Sequence, residues 1–158
     1  MVEADTSDNP GVKIPPPLIY AGFLLIALAL QYVVPIPAFL PTTMAWFVGW
    51  IICVASLFFV VPAMRSFRSA HTSMIPFRRA SSLVTHGIYG ITRNPMYLSL
   101  LLLYAGISIF LNFWWPIVLA PALIVAMDRM VIVKEEAYLM RRFGEEYRRY
   151  RERVRRWI

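Results

Sequence analysis

The chain has 158 residues, of which 59% are apolar and 16% charged, against roughly 25% charged for soluble domains, and this balance excludes an ordinary soluble domain. A net charge of +7 does not point to nucleic acid, because the basic residues flank apolar stretches, where attraction to anionic lipid headgroups is the ordinary explanation. The single cysteine, Cys53, lies inside one of those stretches, where it reads as packing and cannot form an internal disulfide.

Residues 1–17 are acidic and then Pro-rich, ending in Pro15, Pro16 and Pro17, and read as a flexible leader that gives way to a helix at the proline cluster. The acids Glu3, Asp5 and Asp8 stand where a cleavable signal peptide would carry basic residues, so the first apolar stretch is expected to remain as a span. Four stretches approach the ~20 residues a helix needs to cross the hydrocarbon core: residues 18–34, 43–64, 95–111 and 113–133. The first and third are short and must borrow flanking residues or sit in thinned bilayer. Pro35, Pro37 and Pro41 punctuate the connection between the first pair, and Asn112 alone separates the second pair, which predicts a tight antiparallel hairpin.

All 16 Lys and Arg residues fall in the leader, in residues 65–93, or from Arg129 onward. The positive-inside rule then predicts both termini in the cytoplasm, with Trp46, Trp50, Trp114 and Trp115 in an outer aromatic belt. The fold class expected is all-α: a single membrane domain over residues 18–158, with four transmembrane helices, a cytoplasmic loop at 65–94 and an amphipathic helix over 134–157. Within that last segment Met140, Phe143, Tyr147, Tyr150, Val154 and Trp157 recur at steps of three and four, drawing one apolar stripe opposite an arginine-rich face that includes Arg155 and Arg156. Such a helix lies in the interface or folds back over the bundle. Gly144 interrupts it and allows a bend.

The loop at 65–94 carries Arg65, Arg68, His71, Arg78, Arg79, His86, Gly87, Tyr89, Gly90 and Arg93, a dense polar inventory of the kind found in functional loops. Asn94-Pro95 reads as a helix start, with Asn as N-cap, Pro at the first helical position, and free N–H groups beside Arg93 that suit an anion. Asp128 with Glu135, and Arg129 with Glu136, are spaced by seven, which keeps each pair on one face of a regular helix. The turn at Asn112 brings this acidic stripe to the same membrane edge as Arg93. His71 and His86 lack metal-ligand spacing, to each other or to Cys53, so no metal is expected. Neither a phosphate loop, a dinucleotide glycine motif nor a serine nucleophile elbow occurs.

The run from Leu83 through His86-Gly87-Ile88-Tyr89-Gly90 to Arg93-Asn94-Pro95-Met96-Tyr97, followed by Glu135-Glu136 and by Phe143-Gly144-Glu145-Glu146-Tyr147-Arg148-Arg149-Tyr150, resembles the isoprenylcysteine carboxyl methyltransferase and phospholipid methyltransferase superfamily. The resemblance covers residues 76–157, about half the chain, in the family's order and spacing. It implies an integral membrane enzyme that takes S-adenosylmethionine from the cytosol and a lipophilic or prenylated acceptor from the bilayer. Carried over, it assigns Arg93, Asn94, Pro95, Tyr97, Glu135 and Glu136 to a cofactor pocket, with Gly87, Tyr89 and Gly90 at the preceding turn. Arg93, Tyr97 and His86 are the candidate catalytic groups.

Two departures bear on mechanism: Asn94 stands where the family usually has His, and Ser99 where it often has Gly. Asn hydrogen-bonds but does not titrate near neutrality. The absence of an unambiguous base favours an acceptor that is already ionised, such as an isoprenylcysteine-type carboxylate, over a phospholipid amine or a thiol, which must lose a proton. A non-enzymatic module binding anionic lipid or a partner is the competing reading. A carrier or channel is disfavoured because the ionisable residues cluster at one interface.

Overall fold

The computed structural model describes residues 9–70 and 80–158, and among these every regular element is helical. His71, Arg78 and Arg79 of the polar loop lie outside the described residues. The chain runs through α1 (Pro16–Val33), α2 (Thr42–Ser69), a single 3₁₀ turn (Gly87–Gly90), α3 (Pro95–Leu111) and α4 (Trp114–Met127). A π turn (Asp128–Ile132) joins α4 to α5 (Val133–Phe143), and α6 (Glu145–Arg153) follows. Three helical stretches are long and apolar enough to cross a membrane: α1, α2 and the continuous rod Trp114–Phe143. The fourth apolar helix, α3, has 17 residues, about 25 Å at 1.5 Å per residue, and is shorter than those three.

α2 packs along α3, and glycines set how closely. A Cβ on Gly106 would lie 2.8 Å from the Cys53 backbone nitrogen, and one on Gly49 would lie 2.7 Å from the Phe110 nitrogen. Small residues at a helix crossing let two backbones approach in this way. Buried Ser99 adds a hydrogen bond from its hydroxyl to the Ser56 carbonyl of α2, 2.9 Å away. On the other side α1 packs on α4, and Ile19, Tyr20, Tyr104, Leu123, Met127 and Val131 form the core between them.

One end of the bundle is closed by Asn112, which adopts the left-handed conformation (φ 58°) that ends α3 and that Asn tolerates better than most residues. Its side-chain oxygen accepts from the amides of Phe39 (3.2 Å) and Leu40 (3.1 Å), and its amide donates to the Leu40 carbonyl (2.8 Å). The hairpin turn and the proline-rich connection are thus tied together. Trp115 adds a bond from its indole N–H to the Val34 carbonyl at 2.9 Å.

At the opposite end the structure departs from the sequence reading in four places. The leader is not free up to the proline cluster: Pro10 and Val12 are buried, and Val12 joins the α1/α4 core. α2 continues to Ser69, so Arg65 and Arg68 belong to a helix rather than to the loop. The single amphipathic helix expected over 134–157 is two helices, because Gly144 takes φ 51°, ψ −118°, a backbone state open to glycine that stops α5 and reverses the chain. The apolar stripe therefore folds back on the bundle: Tyr147, Tyr150 and Val154 are buried against Leu83, Leu139, Met140 and Phe143.

The fourth departure is the π turn. The Val133 amide donates to the Asp128 carbonyl five residues back, so one extra residue is absorbed in the turn. In a regular helix Asp128 would align with Glu135, about 20° from two full turns. With the insertion it aligns with Glu136, and both acids reach the same guanidinium, that of Arg156.

Candidate functional site

The folded-back tail, the loop before α3 and the ends of α3 and α5 enclose a cavity of about 140 Å³. Of the residues singled out from sequence, Tyr89, Arg93, Asn94, Tyr97, Glu135 and Glu136 line it. His86, Gly87, Gly90 and Pro95 do not: His86 and the two glycines are exposed and Pro95 is packed beneath the wall. Gly87 nonetheless has a local reason to be glycine, since its φ is +63° and an added Cβ would stand 3.3 Å from the Ser66 hydroxyl. The 3₁₀ turn it begins buries Ile88 and Tyr89 against α2, with the Tyr89 ring edge-on to Phe67 at 5.4 Å.

Two charged groups occupy the floor. The Tyr97 hydroxyl donates to Glu135 Oε1 at 2.5 Å, and the Tyr20 hydroxyl donates to the Tyr97 carbonyl at 3.1 Å. Glu135 is paired with no cation among the described residues. Beside it, Glu136 is saturated: Arg93 Nη2 lies 3.1 Å from Oε1, and Arg156 reaches Oε1 with Nε at 3.0 Å and Oε2 with Nη2 at 2.6 Å. Arg156 Nη1 also donates to Asp128 Oδ1 at 2.6 Å. Two acids and two arginines balance, and Glu135 in its ionised form adds one negative charge beyond that balance.

Arg93 is the unusual member. Its side chain is 9% exposed, yet Nε and Nη1 have no hydrogen-bond partner. A buried donor left unmade costs about 1–3 kcal/mol, more for a charged group, and Arg93 brings two such donors to the cavity lining. Asn94 begins α3 but does not cap it with its side chain. Instead its amide donates to the Arg156 carbonyl at 2.9 Å, fixing the C-terminal tail. Arg129, expected in line with Glu136, is exposed.

The wall is aromatic and neutral. The Tyr150 hydroxyl donates to the Tyr89 carbonyl at 2.7 Å, and Tyr147, 2% exposed, packs its ring at 6.1 Å from that of Tyr150. Burial, with Glu136 adding, pushes the Tyr147 phenol up to about 12, and burial raises Tyr89 and Tyr150 as well. All three stay protonated at neutral pH and offer flat faces without charge. Sequence reasoning saw Tyr147 and Tyr150 as an apolar stripe that faces lipid or folds back over the bundle, and left Phe67, Met96, Tyr138 and Leu139, all of which line the cavity, without a role. The signal for the tyrosines was present in the stripe; the signal for Phe67, on α2, was not.

A bundle of apolar helices, three of them long and apolar enough among the described residues to cross a membrane, defines a polytopic membrane protein, and it carries a charged, aromatic-walled cavity at one end. Residues 44–146 match the family described as phospholipid methyltransferase, and the chain belongs to that family: it is a membrane methyltransferase. It is also similar to an uncharacterised protein of Haemophilus influenzae, 39% identical over 66 residues that make up 40% of this chain and 100% of that protein. No solved structure matches the chain.

Proposed function

We propose that the cavity binds S-adenosylmethionine and that the chain transfers its methyl group to an amphiphilic acceptor entering from the bilayer, with both termini in the cytoplasm. The observation that carries this reading is Arg93, buried with two unused N–H groups, beside Glu135, an acid outside the balanced quartet. Bound there, S-adenosylmethionine supplies an electrophilic methyl on a sulfonium. Arg93 would hold its carboxylate and Glu135 its cationic part, with Phe67, Tyr89, Tyr147 and Tyr150 as flat walls for the nucleoside. In its ionised form Glu135 favours a ligand of net positive charge, and favours it less once the sulfonium has become a thioether.

For a displacement of this kind the protein has to align the reactants and exclude water. Tyr147 and Tyr150 of α6 line the cavity, and Tyr97 holds Glu135 in one orientation. Among the described residues no imidazole lines the cavity, and an isoprenylcysteine-type carboxylate is the acceptor that asks for no base. A second reading, an amine-headed phospholipid, draws on the family's description and on Glu135 as the group that would accept the amine proton.

Incubation of the solubilised protein with methyl-labelled cofactor and membrane lipid extract distinguishes them. A carboxylate acceptor yields a methyl ester that releases labelled methanol in alkali, whereas an N-methylated headgroup keeps its label. Absence of any labelled product contradicts both.

A further inference from the structure

We propose that Arg156, in the C-terminal tail, is a positioning residue that holds Glu136 so that Arg93 presents Nε and Nη1 to the ligand. The proposal rests on the reading of the cavity as a cofactor site. Glu136 Oε1 is shared between Arg93 Nη2 (3.1 Å) and Arg156 Nε (3.0 Å), while Arg156 Nη2 takes Oε2 and Nη1 takes Asp128 Oδ1, both at 2.6 Å. Arg93 thus spends one nitrogen on Glu136 and keeps the others free.

Without Arg156 the local charge becomes two acids against one arginine in a site where Glu136 is 12% exposed. An uncompensated buried charge is strongly destabilising, and Arg93 is the cation close enough to relieve it. Its guanidinium would turn toward Asp128 and Glu136 and away from the cavity. A lysine in place of Arg156 has one nitrogen where the guanidinium uses three, so it cannot bridge both acids with the same geometry.

The tail fixes the backbone of Arg93 as well. The Arg93 amide donates to the Arg155 carbonyl at 3.0 Å, and the Arg156 carbonyl accepts from the Thr92 hydroxyl at 3.2 Å and the Asn94 amide at 2.9 Å. Residues on both sides of Arg93 are therefore anchored to the segment that carries Arg156. The π turn completes the device, since it brings Asp128 onto the face of Glu136 within reach of one guanidinium.

The test is a double-mutant cycle on the full chain in detergent, reading S-adenosylmethionine affinity by calorimetry. Coupled residues in one network interact by 0.5–3 kcal/mol, so Arg156→Gln should weaken binding about tenfold in the parent. In an Arg93→Gln background the same change should cost less than about twofold, because the group it positions is gone. Arg156→Lys should lose an intermediate amount in the parent, and it serves as the cycle's variant if Arg156→Gln does not fold. Equal losses in both backgrounds, or no loss in the parent, overturn the positioning role while leaving the cofactor reading intact. A parent that binds no cofactor overturns that reading and this proposal with it.

Discussion

Tyr97 and Glu135 form the shortest polar contact in the cavity, 2.5 Å between the phenol and the carboxylate, and they sit on different helices 38 residues apart in sequence. Tyr97→Phe keeps the ring and its packing but removes the donor. A hydrogen bond to a charged group contributes about 1.5–3 kcal/mol, so its loss should lower the thermal midpoint in detergent, and kcat/KM should fall by at least about tenfold as Glu135 loses its orientation. An unchanged kcat/KM would show that the Tyr97 hydroxyl has no part in the site. This pair was legible from sequence, since the hairpin turn at Asn112 returns the fourth apolar stretch to the edge where the third begins. The unequal parts of the two glutamates were not. Adjacent residues on a helix differ by about 100° in direction, and which of them meets Arg156 depends on the π turn, a one-residue insertion without a composition signal. Asn94 was read as a cap because Asn-Pro is a helix start, and the start is where predicted; its side chain instead serves the tail, a partner 62 residues away that local reasoning does not see.

Helix packing shows the same division between local and distant information. The four apolar stretches and the turn residues between them follow from hydropathy, proline and asparagine, and their boundaries lie close to those of α1, of α3, and of α4 taken with the π turn. α2 runs further than its apolar stretch because Arg65 and Arg68 extend the helix beyond its hydrophobic part without breaking it. Which glycines matter could be learned only from the crossing. Gly106→Ala places a methyl 2.6 Å from the Cys53 sulfur and 2.8 Å from the Cys53 nitrogen, so α2 and α3 must separate, at a cost of about 1–3 kcal/mol as in other overpacked cores. At Gly22, on α1, an added Cβ meets nothing within 4 Å, and Gly22→Ala should be neutral or stabilising by up to about 1 kcal/mol. Thermal unfolding in a common detergent compares the two; equal midpoints for both variants would contradict the close α2/α3 crossing.

Across the whole molecule, charge and shape are segregated between the two ends. The end closed by Asn112 is tied by neutral hydrogen bonds, whereas the other gathers the N-terminal segment, the loop before α3, α5, α6 and the tail around one charged cavity. The rod Trp114–Phe143 spans 30 residues, about 45 Å, and so is longer than a hydrocarbon core of about 30 Å is thick; Glu135 and Glu136 lie in its C-terminal third. The sequence-level reading left the stripe between lipid and the bundle, because a periodic apolar face does not say which of the two covers it. Here Tyr147 and Tyr150 line the cavity and pack with Val154 against Leu83, Leu139, Met140 and Phe143, beyond the break at Gly144 that ends α5. The central claim is that this cavity is a cofactor pocket in which Glu135 faces the cationic part of the ligand. Equilibrium binding of S-adenosylmethionine to the solubilised full chain and to Glu135→Gln tests it most directly: saturable binding by the parent and an affinity at least about tenfold weaker in the variant are predicted, and equal affinities, or no saturable binding by the parent, would contradict it.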